Sequence, residues 1–312
     1  MLSWFRKKSK DTTPEPIAVA AVAVADTLPS ATAPPPRADK AAELIRRWDA
    51  MRTEVRARVE ALLAEAAAAS QPLIDAVRSD MTPLTLPWNT VEARIRDARD
   101  EISEAWNRIS DEMSECEGFT HEMMFSEGNK RDLASLELEL LHERIYGGVM
   151  ARAAERMRQH ALGSDAAQHS CSQCGAPLDR VTPVSQSLNV ECDHCKAVNT
   201  VHPGVALRIF AASGAIHLAA EAARPACEAM KRIDKQVRQY REAKDVPLAL
   251  LIELESSTRI YWTTRISEEA RYNPEESKYV AAKIERYCAD TLKTLRRYWQ
   301  WREYETSRPS RA

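Results

Sequence analysis

Glycine, aromatic residues and net charge are all scarce in this sequence. Its 312 residues include eight glycines, and Phe, Trp and Tyr together make up 6% of the chain. Scarce glycine combined with abundant Ala, Leu, Glu and Arg favours helices over sheets. The sequence contains no Gly-rich phosphate loop and no Gly-x-Ser-x-Gly turn, so it lacks both of these catalytic signatures. The formal net charge of -2 provides no global basic field that would attract nucleic acid.

Long hydrophobic runs are also lacking. No segment reaches the about 20 apolar residues that cross a bilayer as a helix, and the nearest, residues 209–220, has the length of a buried helix. The N-terminus has a basic start and an Ala-Val run, but acidic residues and two prolines separate them, so we expect no secretion signal. Residues 1–8 place Leu2, Trp4 and Phe5 ahead of three cations. Such a patch binds membranes only marginally, and we expect a solvated tail.

The cysteines do not form the pattern of a disulfide framework. There are seven, of which four lie in two pairs, while Cys116, Cys227 and Cys288 stand singly within helical patterns. An odd number with isolated members is typical of free thiols in a reducing compartment. The sequence therefore predicts a cytoplasmic protein.

Composition divides the chain into five parts. Six prolines with Ala, Thr and Ser fill residues 11–37, and such a segment cannot bury enough apolar surface to offset the entropy of ordering. We expect a disordered N-terminal tail at 1–37, a helical region at 38–167, a cysteine-containing module at 168–204, a second helical region at 205–306 and a short tail at 307–312.

Apolar residues recur at spacings of three and four before the module. The first such stripe predicts a long helix that starts at Asp39. Two stretches with prolines or glycines, 81–89 and 117–129, are predicted to be loops. Helices are then predicted to start at Asn89, which has a glutamate three residues later as in a capping box, and at Asn129.

The region after the module is also helical. The Ala-rich stretch 205–223 is predicted to be the most buried helix, with a kink or break at Pro225. The last helix is predicted to run from Val280 to Tyr298. Long helices with short connections imply antiparallel hairpins. The predicted fold is all-α: an elongated antiparallel helical bundle with coiled-coil hairpins and one small inserted β module.

The module contains two Cys-x-x-Cys pairs, Cys171 with Cys174 and Cys192 with Cys195, separated by seventeen residues. Two residues between cysteines allow a tight turn to direct both sulfurs at one ion, and two such turns supply four thiolates in a tetrahedron, which suits Zn²⁺. Gly175, directly after the first pair, fits a turn that needs positive φ. The β-prone residues around the second pair predict two strands.

"CSQCGAPL" followed by "VECDHCKAVNTV" resembles a zinc ribbon built on rubredoxin-type knuckles. The resemblance covers about 35 residues, and no family is recognised for the helical remainder. It implies one structural Zn²⁺ held by the four paired cysteines. Lys196 stands where Gly is frequent in such knuckles, and a lysine can adopt this turn at modest strain.

Other chemistry at the module remains open but is less favoured. The same four ligands suit a rubredoxin-like iron centre, while thiol redox chemistry would need one low-pKa pair in a suitable fold. His169, His194 and His202 lie close enough in sequence to replace a cysteine, but four thiolates already close the coordination shell. A closed shell argues against catalysis, because catalytic zinc keeps an open position.

Two further patterns that could carry chemistry lie outside the module. Glu139-Leu-Leu-His142 has the spacing that di-iron bundles use, but such sites need a second helical motif and two more glutamates. The C-terminal helix mixes arginines with Tyr298, Trp299 and Trp301, which suits either stacking on single-stranded nucleic acid or packing and protein contacts, the latter being favoured. The module itself is near neutral, whereas phosphate binding needs clustered cations.

Together these observations predict no enzyme. They indicate a non-enzymatic, zinc-stabilised helical scaffold or adaptor that binds protein partners and could form oligomers through helical faces. The alternative is a nucleic-acid-associated protein that uses the zinc ribbon and the basic-aromatic C-terminal helix.

Overall fold

Long helices dominate the computed structural model, which describes residues 37–116, 119–165, 169–178, 187–202, 204–240 and 245–307. The predicted N-terminal tail lies outside these residues apart from Arg37, as does the predicted C-terminal tail from 308 onward. The elements are α1 (Arg37–Ala69), α2 (Gln71–Ala76), α3 (Thr82–Ser114), α4 (His121–Asp165), β1 (Leu188–Glu191), β2 (Val198–Val201), α5 (Val205–Ile209), a π-helical turn (Phe210–Gly214), α6 (Ala215–Arg238), α7 (Leu248–Tyr272), a 3-10 turn (Pro274–Tyr279), α8 (Val280–Leu295) and α9 (Trp299–Ser307). The prediction of a mostly helical fold with a small β insertion is confirmed.

Helices α1, α3 and α4 pack against one another around the larger apolar core. The tryptophans Trp48 of α1 and Trp106 of α3 lie with ring centroids 5.4 Å apart. Arg56 of α1 reaches Glu137 of α4 at 3.1 Å. Large side chains in this core are almost fully buried, among them Leu44, Trp48, Leu63, Leu84, Ile102, Met113, Leu138, Met150 and Met157.

Helix α3 begins seven residues earlier than predicted, so the loop expected at 81–89 is wrong and Asn89 is not a cap. The carboxylate of Asp80 accepts a hydrogen bond from the backbone N–H of Thr82 at 2.8 Å and satisfies one N–H group of the first turn. Pro83 lies in that turn, where a missing N–H costs little. Leu84 and Trp88 are 1% and 3% exposed, and their burial outweighs the hydrogen bond that Pro87 cannot donate.

Helix α4 also begins earlier than predicted, at His121 instead of Asn129. Thr120 caps it, because its hydroxyl accepts from the backbone N–H of Met123 at 3.2 Å. Gly128 does not interrupt the helix and allows a close approach: a Cβ there would lie 3.4 Å from Cζ2 of Trp106. The predicted loop at 117–129 is therefore wrong from His121 onward.

The stretch 205–223 is not the most buried helix, since Val205 is 63% and Ile216 is 41% exposed. It contains a π-helical turn, and α6 then continues through Pro225, so the alternative of a break at this proline is wrong. Gly214 is needed at the end of the π turn, because a Cβ there would lie 2.5 Å from the ring of Phe210. In the described part of the chain, Val205–Arg238 is the one helical stretch that could cross a membrane by length and composition, a criterion that core helices also meet.

Helices α6, α7 and α9, with the end of α8, form a second, smaller apolar core that includes Val237, Leu251, Leu254, Leu295, Tyr298 and Trp301. The last predicted helix ends at Leu295, three residues earlier than expected, and a separate helix, α9, starts at Trp299. The turn between them lets the ring of Tyr298, 4% exposed, enter this core.

A row of ion pairs links α4 to α6. Lys231 lies between Glu139, at 2.7 Å, and Glu143. On one side of Lys231, Lys235 pairs with Asp132 at 2.8 Å. On the other side, Arg144 binds Glu228 through two parallel hydrogen bonds. Because the residue numbers rise along one helix as they fall along the other, the two helices are antiparallel.

Candidate metal centre

The cysteine pairs lie in a β-hairpin module that has a small core of its own. Strands β1 and β2 pair antiparallel, with Leu188 opposite Val201 and Glu191 opposite Val198. The core of the module consists of Cys171, Leu178, Cys192 and Val201, with Ala176, Val190 and Ala197 packed against it. Side chains alternate along the strands, so one face of the hairpin covers the cysteines and the other faces solvent.

The two cysteine turns have the same backbone geometry. In the first, Gly175 donates its backbone N–H to the carbonyl of Cys171 at 2.9 Å. In the second, Lys196 donates to the carbonyl of Cys192 at the same distance. Both residues adopt positive φ, 71° for Gly175 and 62° for Lys196, so the lysine takes the conformation that the resemblance implied. A non-Gly residue in this region carries a cost of about 1 kcal/mol.

The four sulfurs converge on one point. All four Sγ atoms lie within 4.8 Å of one another, with 3.5 Å between Cys171 and Cys195 and 3.6 Å between Cys174 and Cys192. Tetrahedral Zn²⁺ with Zn–S bonds of about 2.3 Å places its sulfurs about 3.8 Å apart. The sulfur set therefore fits a tetrahedral metal ion, and Cys171, Cys174, Cys192 and Cys195 are positioned to bind one together.

No family model, curated protein or solved structure matches this chain. The identification of the module therefore depends on its own geometry: the ligand count, the paired turns and the sulfur distances. The same geometry gives the cluster four protein ligands, which is the number that a closed structural zinc site uses.

Asn199, which sequence reasoning missed, joins the two cysteine turns. Its side chain is buried, with 7% exposed, and Oδ1 accepts from the backbone N–H of Ser172 at 2.8 Å and from Ser172 Oγ at 3.0 Å. Its Nδ2 donates to the carbonyl of Ala197 at 3.0 Å and to Sγ of Cys171 at 3.5 Å. The available signal was an amide at an inward-facing position of β2, where an apolar residue is usual.

The pKa values of Cys171 and Cys195 are shifted in opposite directions within the cluster. Backbone N–H groups of Cys174 and Gln173, together with Asn199, lower the pKa of Cys171 to about 6. The backbone N–H of Ala197 lowers the pKa of Cys195, but the neighbouring cysteines and desolvation outweigh it and raise this pKa to about 12. Metal binding must therefore displace protons from the cluster, so metal affinity depends on pH.

In the described part of the chain, the nearby histidines are not among the potential metal ligands that lie close together. His194 is exposed, and His202 shares a 2.8 Å hydrogen bond between Nδ1 and Ser187 Oγ. His169 is half-buried, and its carbonyl accepts from the backbone N–H of Leu178 at 2.8 Å.

The Glu139 and His142 pair lies on α4 but serves packing and ion pairing. Glu139 contacts Lys231 at 2.7 Å and Arg99 at 3.6 Å. The His142 ring stacks on Tyr146, with centroids 5.6 Å apart, and burial lowers the pKa of His142. Within the described residues, the paired cysteines are the one group of potential ligands close enough to share an ion.

The basic-aromatic C-terminal segment places its aromatic rings inward. Tyr298 and Trp301 are buried, with 4% and 1% exposed. Arg296 is engaged by Glu305 through paired hydrogen bonds, and Arg297 lies over the Tyr298 ring at 4.7 Å. These two aromatic side chains are therefore not free to stack on bases. The side chain of Trp299 lies outside the described residues.

Proposed function

We propose that this protein is a non-enzymatic adaptor whose zinc-stabilised ribbon presents a binding surface at the end of a long helix. The observation that carries the proposal is the closed cluster of four cysteine sulfurs. Four protein ligands leave no position for substrate or water, so the metal stabilises structure instead of activating a reactant. We also propose that the metal is a single Zn²⁺ and that the protein is cytoplasmic, where cysteine thiols stay reduced.

The charge of the ribbon favours a protein partner over nucleic acid. The described ion pair of the hairpin joins Glu191 to Lys196 at 3.8 Å, and Val198 on the solvent-facing side is 67% exposed. Phosphate contacts need clustered cations, whereas protein contacts use apolar side chains within a polar surround. The inward packing of Tyr298 and Trp301 supports the same preference.

The test compares partner capture by intact protein, by protein stripped with a chelator and by the Cys171→Ser variant. Cys227→Ser is the matched control, because Cys227 belongs to α6 and not to the cluster. We expect one zinc per chain, and partners that are lost both with the chelator and with Cys171→Ser but kept with Cys227→Ser. If the intact protein, the stripped protein and Cys171→Ser captured the same partners, the adaptor proposal would be refuted. Nucleic acid that co-purifies and is released steeply by salt would support the alternative instead.

A further inference from the structure

A cationic cavity lies between the end of α2 and the last turns of α4. It has a volume of about 460 Å³ and is lined by Arg78, Arg156, Gln159, His160, Gly163 and Ser164. The described lining residues include no carboxylate. This contrasts with the α4–α6 contact elsewhere on α4, where cations and carboxylates form ion pairs.

Two separate elements bring the cations together. The five lining residues of α4 follow at steps of three, one, three and one, so they share one face of the helix. Arg78 comes from the segment after α2, where its Nη1 donates to the carbonyls of Asp75 and Val77 at 3.0 Å each. These bonds fix the guanidinium, while Nε and Nη2 remain available as donors on its other edges.

Two carboxylates close in sequence to the lining residues have other hydrogen-bond partners. Glu155 is bound by Arg158 through two hydrogen bonds of 2.8 Å and also accepts from Gln159 at 3.3 Å. Asp75 accepts a hydrogen bond from the side chain of Gln71. Among the carboxylates whose side chains the structure describes, which do not include Asp165, Glu155 pairs with Arg158 and none pairs with Arg156 or His160.

We propose that this cavity binds a phosphate group, or a similar oxyanion, carried by a compact ligand. Arginine guanidinium groups match the geometry of phosphate oxygens and bind them through paired, charge-assisted hydrogen bonds. Arg78 and Arg156 supply such groups from two sides, and the imidazole of His160 adds a further donor. The space next to Gly163 is open, since a Cβ at this position would have no atom within 4 Å.

The cavity favours a compact ligand over a polyanion because its two arginines, from different parts of the chain, line the same hollow. A nucleic acid strand would instead follow an extended row of cations. Arg152 lies one turn before Arg156, is exposed and does not line the cavity. A polyanion that lies along α4 would contact Arg152 and Arg156 alike, whereas a compact phosphate would contact Arg156 alone.

The test titrates the full-length protein with inorganic phosphate at constant ionic strength, maintained with chloride, and follows binding by calorimetry. Arg156→Gln is the main variant, and Arg152→Gln is the matched control with the same change of charge. We expect Arg156→Gln to weaken phosphate binding at least about tenfold, and Arg152→Gln to change it less than about twofold. Arg78→Gln should weaken binding similarly, while Arg156→Gln stays informative if loss of the Arg78 bonds disturbs α2.

Three results would overturn the proposal. The first is the absence of phosphate binding to the unmodified protein at millimolar concentration. The second is an equal loss of affinity in Arg152→Gln and Arg156→Gln, which would indicate a general effect of surface charge. The third is binding of a single-stranded oligonucleotide that tightens with its length and depends on Arg152, which would indicate a nucleic acid surface along α4.

Discussion

Replacement of Asn199 by alanine tests how the metal cluster is held together. The side chain of Asn199 bonds to the backbone of both cysteine turns, to Ser172 in the first and to Ala197 in the second. It also donates to Sγ of Cys171. Asn199→Ala would remove these bonds at once while leaving all four sulfur ligands in place.

The magnitude follows from the kinds of bonds that are lost. Each bond to an uncharged backbone group contributes about 1 kcal/mol net, and the bond to a charged sulfur contributes about 1.5–3 kcal/mol. Their sum, about 4 kcal/mol, is an upper bound, because water would replace part of the bonding in so small a module. We expect a loss of about 1.4–2.8 kcal/mol, which corresponds to about 10–100-fold weaker zinc binding.

The assay is a competition titration of zinc between the protein and a chromophoric chelator. Asn189→Ala is the matched control: Asn189 is an exposed asparagine on β1 that accepts a 2.9 Å hydrogen bond from Thr200 and does not contact the cysteines. Zinc affinity should fall in Asn199→Ala and stay within about twofold in Asn189→Ala. Equal affinity in Asn199→Ala and the unmodified protein would refute the role assigned to Asn199.

Three further predictions concern the helices. Gly214→Ala should lower the free energy of unfolding by about 1–3 kcal/mol, because its Cβ would lie 2.5 Å from the buried ring of Phe210. Gly148→Ala, whose Cβ would have no atom within 4 Å, should raise it by up to about 1 kcal/mol. Urea denaturation measures both variants, and equal effects would contradict the close contact at the π-helical turn. Lys231→Met should lower the free energy of unfolding by about 1–3 kcal/mol, because Glu139 and Glu143 of α4 lose their half-buried partner. Lys293→Met is the control: the side chains of its ion pair with Asp290 are about 70% exposed, so the free energy of unfolding should change by less than about 0.5 kcal/mol. Burial lowers the pKa of His142 in the folded state, so the unfolded state binds the proton more readily and the fold loses stability as the pH falls below about 6.5. In His142→Gln, the urea midpoint should therefore decline less between about pH 7.5 and about pH 5.5 than in the unmodified protein. An unchanged decline would contradict this prediction.

The cysteine turns were predictable because their chemistry is local. Two cysteines three positions apart, with a turn that needs positive φ after them, are a short-range pattern, and the structure places Gly175 and Lys196 in that conformation. Asn199 was not predictable in the same way. Its partners include Ser172 in the other turn, and its role appears only when the hairpin brings the two turns together.

Helix boundaries failed where tertiary burial overcame local signals. Proline and asparagine near residues 81–89 indicated a loop and a cap, but Leu84 and Trp88 continue the buried face of α3. Likewise, Pro225 does not end α6, because packing on both sides of it maintains the helix. The cationic cavity was also outside sequence reasoning, since Arg78 and Arg156 are far apart in the chain.

The length of α4 determines both how far from His121 the chain leaves the helix and in which direction around the helix axis it leaves. Its 45 residues extend about 68 Å, so the chain leaves the helix about that far from His121, a few residues before the metal-binding module begins. Each residue inserted into or deleted from α4 would move this exit point by about 1.5 Å and turn it by about 100° around the helix axis. A four-residue deletion would therefore shorten the span by about 6 Å with a rotation of about 40°, whereas a two-residue deletion would direct the chain to nearly the opposite side.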